Sequence, residues 1–321
     1  MLRIVEGYSG GIEVVDRGLA ELYDKCKSIT TAWAFRPTTV DEIKDMFSST
    51  WFDPEEFAIA LLDSGKVTGF AWAWETSRAN RVSICIDPYL PKYVIDNTIK
   101  ALLSWARYSF EKRSISGSIY INAWHHYSYF HELLKEVMNG IPYIERYWGT
   151  LMIYRGLGTE VKIPIGYRIR YGTSSDIPRI VEIFNKAFSI YDWFYPWTLE
   201  DAKRYFEKHK PIVFVAEDSS GEVVAFVDGE IFKALDGRET AIIGTLAVDP
   251  SHQRRGLGKA LIYTIVRELR SRGATRIYLD GVEGLEPLYR KLGFVEYRRW
   301  IRLLTTISAL PQTLIQYEKY R

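Results

Sequence analysis

The chain repeats its own pattern once, in order, and this limits its fold more than any other feature. Residues 37–47 match residues 196–206: Pro37 and Pro196, Thr39 and Thr198, an acidic pair, Lys44 and Lys203, and Phe47 and Phe206 fall at the same spacings. A tryptophan, Trp33 or Trp193, stands shortly before each block. Further on, residues 65–70 match 221–226, Ile86-Asp87-Pro88 matches Val248-Asp249-Pro250, and 144–147 resemble 295–298. Two copies predict a duplicated domain, because a solenoid stacks more units than that. The join is placed in residues 156–164, where two glycines and a proline suit a short linker. The expected domains are 1–157 and 158–321.

A length of 321 residues accommodates two domains, and 47% hydrophobic with 26% charged residues is an ordinary globular mixture. The net charge of +2 gives no general nucleic-acid or membrane surface, so neither partner is expected. Arg267, Arg270, Arg272 and Arg276 cluster near one helix end and read as a solvated face with favourable dipole placement. The two cysteines, Cys26 and Cys85, cannot build a disulfide framework; a cytoplasmic setting fits, and a single bridge between them stays open. No metal site is expected: His125, His126 and His131 lack completing ligands and read as structural or surface residues. The N-terminal residues lack an apolar signal core, and no apolar run approaches the roughly 20 residues that cross a bilayer.

The second copy reads as β-α-α-β-β-β-α-β-α-β. Strands are expected at 167–171, 212–217, 223–232, 240–248, 276–280 and 295–303, and residues 313–317 add a further strand. Thr173 to Asp176 offer caps for a helix through Phe188, with Ile177, Ile180, Val181 and Phe184 on one face. Thr198 caps a second helix to about Lys208. A third runs over 258–272 with Leu261, Ile262, Ile265, Val266 and Leu269 at helical spacing, and stops at Gly273. A short fourth helix occupies 285–292.

Between the fourth strand and the third helix stands Asp249-Pro250-Ser251-His252-Gln253-Arg254-Arg255-Gly256-Leu257-Gly258-Lys259-Ala260. This layout places a nest of backbone N–H groups at a helix N-terminus, a shape that holds a pyrophosphate. Gly256 and Gly258 remove side chains so that backbone can approach phosphate oxygens, while Arg254, Arg255 and Lys259 supply charge. A Walker loop does not fit, because Ala260 follows Lys259; a dinucleotide fingerprint does not fit, because Leu261 stands where its third glycine belongs.

Three motifs in this order resemble the GCN5-related N-acetyltransferase (GNAT) superfamily over residues 166–302: the strand end Leu246-Ala247-Val248-Asp249-Pro250, the run from Gln253 to Ala260, and Leu288-Tyr289-Arg290-Lys291-Leu292-Gly293-Phe294. The resemblance implies an α/β fold of two tandem GNAT-like domains, each a mixed, mostly antiparallel sheet flanked by helices with splayed central strands. It implies acetyl-CoA as cofactor and transfer of the acetyl group to a primary amine, on a small molecule or a protein, by direct attack. Leu246, Ala247 and Val248 would pair with the pantetheine, and Gln253, Arg254, Arg255, Gly256, Leu257, Gly258, Lys259 and Ala260 would hold the pyrophosphate. Tyr289 would protonate the leaving thiolate.

The chain departs from the family in two places. Many members carry a glutamate on the fourth strand where Ile242 stands, so Asp228, Glu230, Glu239 and Asp280 are candidate substitutes for the base. Many members also carry an asparagine after the fifth strand, where this chain reads Asp280-Gly281-Val282-Glu283. The first copy has Tyr89-Leu90-Pro91-Lys92 after Asp87-Pro88 and no Gly-x-Gly, so it is expected to be a degenerate, non-catalytic domain. The loop 190–197, with Tyr191, Trp193, Phe194, Tyr195 and Trp197 around Asp192, is read equally as an acceptor wall or as core packing. The alternative function is an acyl-CoA-binding or sensing module that recruits a protein partner without turnover.

Overall fold

The computed structural model describes residues 2–27, 38–49, 52–76, 78–123, 129–156, 160–192, 194–234, 236–312 and 317–320. Trp33, Trp193, His125 and His126 lie outside the described residues, as do positions 313–316 of the expected last strand.

The first copy runs β1 (Leu2–Glu6), α1 (Glu13–Lys27), α2 (Val40–Phe47), β2 (Phe57–Leu62), β3 (Val67–Glu75), β4 (Asn80–Ile86), α3 (Lys92–Lys112), β5 (Ser118–Ala123), α4 (Tyr129–Val137) and β6 (Ile144–Tyr154). The second repeats that order as β7 (Arg168–Tyr171), α5 (Ile177–Phe188), α6 (Leu199–His209), β8 (Ile212–Glu217), β9 (Val223–Lys233), β10 (Glu239–Val248), α7 (Leu257–Ser271), β11 (Arg276–Val282), α8 (Glu286–Lys291) and β12 (Phe294–Thr306). A short β13 (Tyr317–Lys319) follows. The repetition reaches single hydrogen bonds. Thr39 and Thr198 each cap a helix through a side-chain oxygen, and Asp87 N–H donates to Thr68 as Asp249 N–H donates to Val224.

The chain folds into two compact units, residues 1–148 with 299–321, and residues 149–298. These differ from the expected division at 157, because the last strand of each copy changes unit part-way along. In the first unit the strand order is β13-β1-β2-β3-β4-β5-β12, with Leu303–Thr306 of β12 antiparallel to β5. In the second it is β6-β11-β10-β9-β8-β7, with residues 149–153 of β6 antiparallel to β11. An alternating apolar pattern announces a strand but not its partner, so this exchange is invisible in the repeat.

Each unit buries both faces of its sheet. In the second unit, Leu261, Ile262, Ile265, Val266 and Leu269 of α7 pack on Val227, Ile243, Ile277 and Leu279. Ile180 and Ile183 of α5 cover Val215, Phe226 and Ala247 on the other face. Fully burying such side chains contributes about 1.5–3 kcal/mol each, which makes these two stripes the main tie between helices and sheet. In the first unit α3 covers one face, and α1 with α2 covers the other. Cys26 of α1 and Cys85 of β4, left open by the sequence, are joined as a disulfide with Cα atoms 6.0 Å apart. No helix among the described residues is long and apolar enough to cross a membrane, and no three metal-ligating side chains gather among them.

Candidate functional site

The second unit opens a gap in its own sheet. β10 and β11 run parallel and pair from Thr240 with Arg276 to Ile243 with Leu279, and their pairing ends there. Beyond that point β10 pairs only with β9, after a register shift between Ile243 and Leu246. Asp249 N–H donates to Val224, so by the two-residue alternation of an antiparallel ladder the backbone groups of Leu246 and Val248 face the gap. Ala247 turns its side chain into the core under α5.

The loop that closes this gap at one end is built by its own polar groups. Asp249 caps a short turn through Ser251 N–H and Ser251 Oγ, at 3.1 and 2.7 Å, and is anchored from α5 by Arg179 at 3.1 Å. Burial opposes its charge, yet the Ser251 bonds, Lys186 and Arg179 outweigh burial and hold the carboxyl below its ordinary range. Gln253 Nε2 donates to Val248 O at 3.1 Å and ties the loop to the strand end. Arg255 donates to Tyr167 Oη and Ser251 O, both at 3.1 Å. Arg254 sits at φ +61° and Gly256 at φ +91°, left-handed conformations that turn successive N–H groups the same way. A side chain other than glycine held there stores strain of roughly 1–3 kcal/mol, a signature of functional loops. α7 starts at Leu257, so the first-turn N–H groups, including those of Gly258 and Lys259, have no partner inside the helix. Leu257 is buried and can offer only backbone there, while Ala260, also buried, donates its N–H to Gly256 O at 3.2 Å; Arg254 is exposed and Lys259 half-buried.

Tyr289 of α8 stands at the opposite side of the gap. Its ring lies against Gly281 of β11, where a Cβ would come within 3.3 Å of Cε2, and edge-on to Phe294 at 6.2 Å. It is 6% exposed. Burial, and then the nearby Tyr191, Glu286 and Asp280, push its phenol well above the ordinary range, so it keeps its proton.

A family model described as "Acetyltransferase (GNAT) family" matches residues 177–294. An uncharacterized N-acetyltransferase of Methanocaldococcus jannaschii is 32% identical over 152 residues, which are 44% of this chain and 67% of that protein. The chain belongs to the GNAT family. Glucosamine 6-phosphate N-acetyltransferase of Trypanosoma brucei brucei is 43% identical over 67 residues, 21% of this chain and 46% of that enzyme, so the chain spans less than half of it. A tandem GNAT protein from the clavulanic acid biosynthesis pathway superposes with a TM-score of 0.63 at 15% identity, over 96% of this chain and 99% of that one. The tandem GNAT fold therefore covers both copies.

Within this GNAT fold the four candidate bases separate. Asp228 of β9 is 1% exposed; its Oδ1 accepts Thr245 N–H at 2.6 Å and its Oδ2 accepts the Tyr205 hydroxyl at 2.7 Å. Burial pushes its carboxyl up to about 6 despite those bonds, and Glu230 adds to the rise. Glu230 faces His209 Nδ1 at 3.4 Å. Glu239 is exposed at the start of β10, its carbonyl accepting Thr275 N–H. Asp280 lies within β11, paired with Leu151 of β6, and adds negative charge near Tyr289. Ile242, at the family's glutamate position, is fully buried.

The aromatic loop divides. Trp197 is core packing: it stacks on Phe184 at 4.3 Å and exchanges two hydrogen bonds with Asn185. Tyr191, half-buried, is close enough to raise the Tyr289 phenol, while Tyr195 is exposed. Sequence reasoning missed Tyr205 and Tyr167. The difference between copies signals the first, since Met46 stands at the place of Tyr205 and Trp72 at that of Asp228.

Proposed function

We propose that the second unit, residues 149–298, transfers an acetyl group from acetyl-CoA to a primary amine by direct attack, and that the first unit has no catalytic role. The observation that carries this reading is the gap between β10 and β11, with the strained N–H loop at one end and protonated Tyr289 on its wall. The residues fit the cosubstrate. The backbone of Leu246 and Val248 offers the edge that the pantetheine amides need. Gln253, Arg254, Arg255, Gly256, Leu257, Gly258, Lys259 and Ala260 form the anion cradle, by the free first-turn N–H groups of Leu257, Gly258 and Lys259, by charge for Arg254 and Lys259, and with Ala260 as a small buried residue that closes the first turn on Gly256 O. As the amine nitrogen bonds the acyl carbon and the C–S bond breaks, Tyr289, whose proton burial and then the nearby Tyr191, Glu286 and Asp280 keep on oxygen, would protonate the departing sulfur, and the proton lost by the amine would pass to water and restore the phenol. Asp280 and the ring of Tyr191 make that wall favourable to a cationic or neutral amine.

Release of free coenzyme A thiol from acetyl-CoA, measured across a panel of primary amines, tests the reading. Amine-dependent release supports it. Tight acetyl-CoA binding with no release for any amine would favour a sensing module, and absence of binding would remove the reading altogether.

A further inference from the structure

The buried carboxylate of Asp228 has no task in the transfer chemistry above, yet it is tied to the strand that shapes the gap. We propose that Asp228 is a positioning residue that holds the β10 bulge open, and the cofactor gap with it, by accepting Thr245 N–H and the Tyr205 hydroxyl at once. The proposal rests on reading that gap as the acetyl-CoA site.

Three observations carry it. First, the register shift between Ile243 and Leu246 leaves Gly244 and Thr245 without partners in the β9 ladder, so the Thr245 N–H must be satisfied from elsewhere. Asp228 Oδ1 meets it at 2.6 Å, one residue before Leu246, whose backbone faces the gap. Second, the carboxylate fills the space above Gly244: a Cβ there would lie 2.8 Å from Oδ2. The bulge is thus shaped around this side chain. Third, the second oxygen is held by Tyr205 of α6, whose ring packs 5.8 Å from Trp197 and 5.0 Å from His209. A chain of contacts runs from α6 through Tyr205, Asp228 and Thr245 to Leu246. With both oxygens engaged and the side chain almost fully enclosed, Asp228 is poorly placed to receive a proton from an amine.

Two donors demand an anion. A protonated Asp228 keeps one oxygen as an acceptor for Thr245 N–H and turns the other into a donor, so the Tyr205 hydroxyl can stay only by reversing its bond. The groups that face it are Tyr205 on α6, Thr245 on β10 and Glu230 on its own strand, and Glu230 in turn faces His209 of α6. Protonation of Asp228 therefore loosens the bulge and weakens acetyl-CoA binding at acid pH.

The test combines the amide resonance of Thr245 with calorimetric affinity for acetyl-CoA between about pH 5 and pH 8. The 3′-phosphate of acetyl-CoA titrates near pH 6 itself, so the readout is the difference between wild type and Asp228→Asn. Wild type should show a Thr245 amide that titrates near pH 6 and an affinity that falls by about tenfold more than that of Asp228→Asn on going to pH 5. Asp228→Asn carries the same one acceptor and one donor as the protonated acid, so it should meet wild type at pH 5 and bind acetyl-CoA about tenfold more weakly than wild type near pH 7.5. Asp228→Ala should lose about tenfold in affinity at that pH, and Tyr205→Phe less. Where Asp228→Ala fails to fold, the asparagine and phenylalanine variants keep the test decisive. The proposal is overturned by a Thr245 amide indifferent to pH, or by identical pH profiles in wild type and Asp228→Asn. It is also overturned if Asp228→Asn loses amine-dependent turnover at saturating acetyl-CoA with affinity unchanged, which would make Asp228 a base. If wild type binds no acetyl-CoA, the reading of the gap fails, and the Thr245 amide still decides whether Asp228 holds the bulge.

Discussion

The two copies share a fold down to one irregularity and differ where chemistry would occur. β2 and β3 shift register between Ala60 and Leu61, and β8 and β9 shift at the matching place, between Ala216 and Glu217. Asp87 is clamped by Lys25 at 2.8 Å as Asp249 is by Arg179. Then the copies part. β3 and β4 pair without a shift from Gly69 with Ile86 to Glu75 with Asn80, whereas β9 and β10 carry the bulge. β4 stays paired with β5 as far as Ile84, close to its end, while β10 leaves β11 at Ile243, well short of Val248. α3 starts behind Pro91, which has no N–H to offer, and α7 starts behind Gly256. The lesson is that this fold needs the buried aspartate, the caps and the apolar stripes, and does not need the bulge, the glycine loop or the tyrosine. Among the described residues of the first copy all three are absent together, which is what a single site predicts of its parts.

Several experiments would break or sharpen that contrast. The largest effect is expected from removing residues 1–157. That cut takes away residues 149–153 of β6, including Leu151, Met152 and Ile153, which are buried in the second unit. Losing three such side chains costs about 5–9 kcal/mol, against a typical total of 5–15 kcal/mol. The fragment should show no cooperative thermal transition by circular dichroism; a sharp melt with full acetyl-CoA binding would show that the second copy stands alone. Next, Tyr289→Phe should lower turnover by about 10²- to 10⁴-fold while leaving acetyl-CoA affinity within about threefold. An unchanged kcat would remove Tyr289 from the chemistry.

Gly256→Val should weaken acetyl-CoA binding by about ten- to a hundredfold, since φ +91° is costly for valine and its side chain would press on Pro164. Leu90→Ala, in the matching loop of the first copy, should leave that affinity untouched; an equal loss from both would contradict a single site. The remaining effect is on stability and not on binding. Asp228 has its carboxyl raised to about 6, so the fold favours its protonated form. That contribution is fully present below the ordinary carboxylate range and is lost as pH rises through 6, amounting to about 3 kcal/mol. Asp228→Asn should therefore melt higher than wild type near pH 8 and converge with it near pH 4. Parallel Tm curves across that range would show that burial of the charge carries no such cost.

Much of this was legible before any coordinates. Residues 212–217 are a strand with the expected ends, Thr198 caps its helix, and the run from Leu246 to Ala260 forms a strand end, loop and helix start as its spacing implies. Local signals of this kind depend on neighbours a few residues apart. What stayed hidden depends on distant partners. Asp228 and Tyr205 are separated by a helix end and a strand, Cys26 and Cys85 by 59 residues, and the strands β6 and β12 carry no mark of where they end up. The aromatic loop was ambiguous for the same reason: only packing separates Trp197, fixed by Asn185 and Phe184, from Tyr191 near Tyr289.

The route of β12 has a consequence for synthesis. Both flanking strands of the first sheet come late in the chain: Leu303–Thr306 lie beside β5, and β13 lies beside β1. During translation, at about 5–20 residues per second, the N-terminal sheet waits for roughly the time needed to make the entire second copy before either edge is covered. Through that interval two raw strand edges are exposed to pairing with other nascent chains. A ribosome that stalls before residue 303, or a protease that removes residues 303–321, would thus be felt first in a sheet made long before them, whose own codons were read correctly.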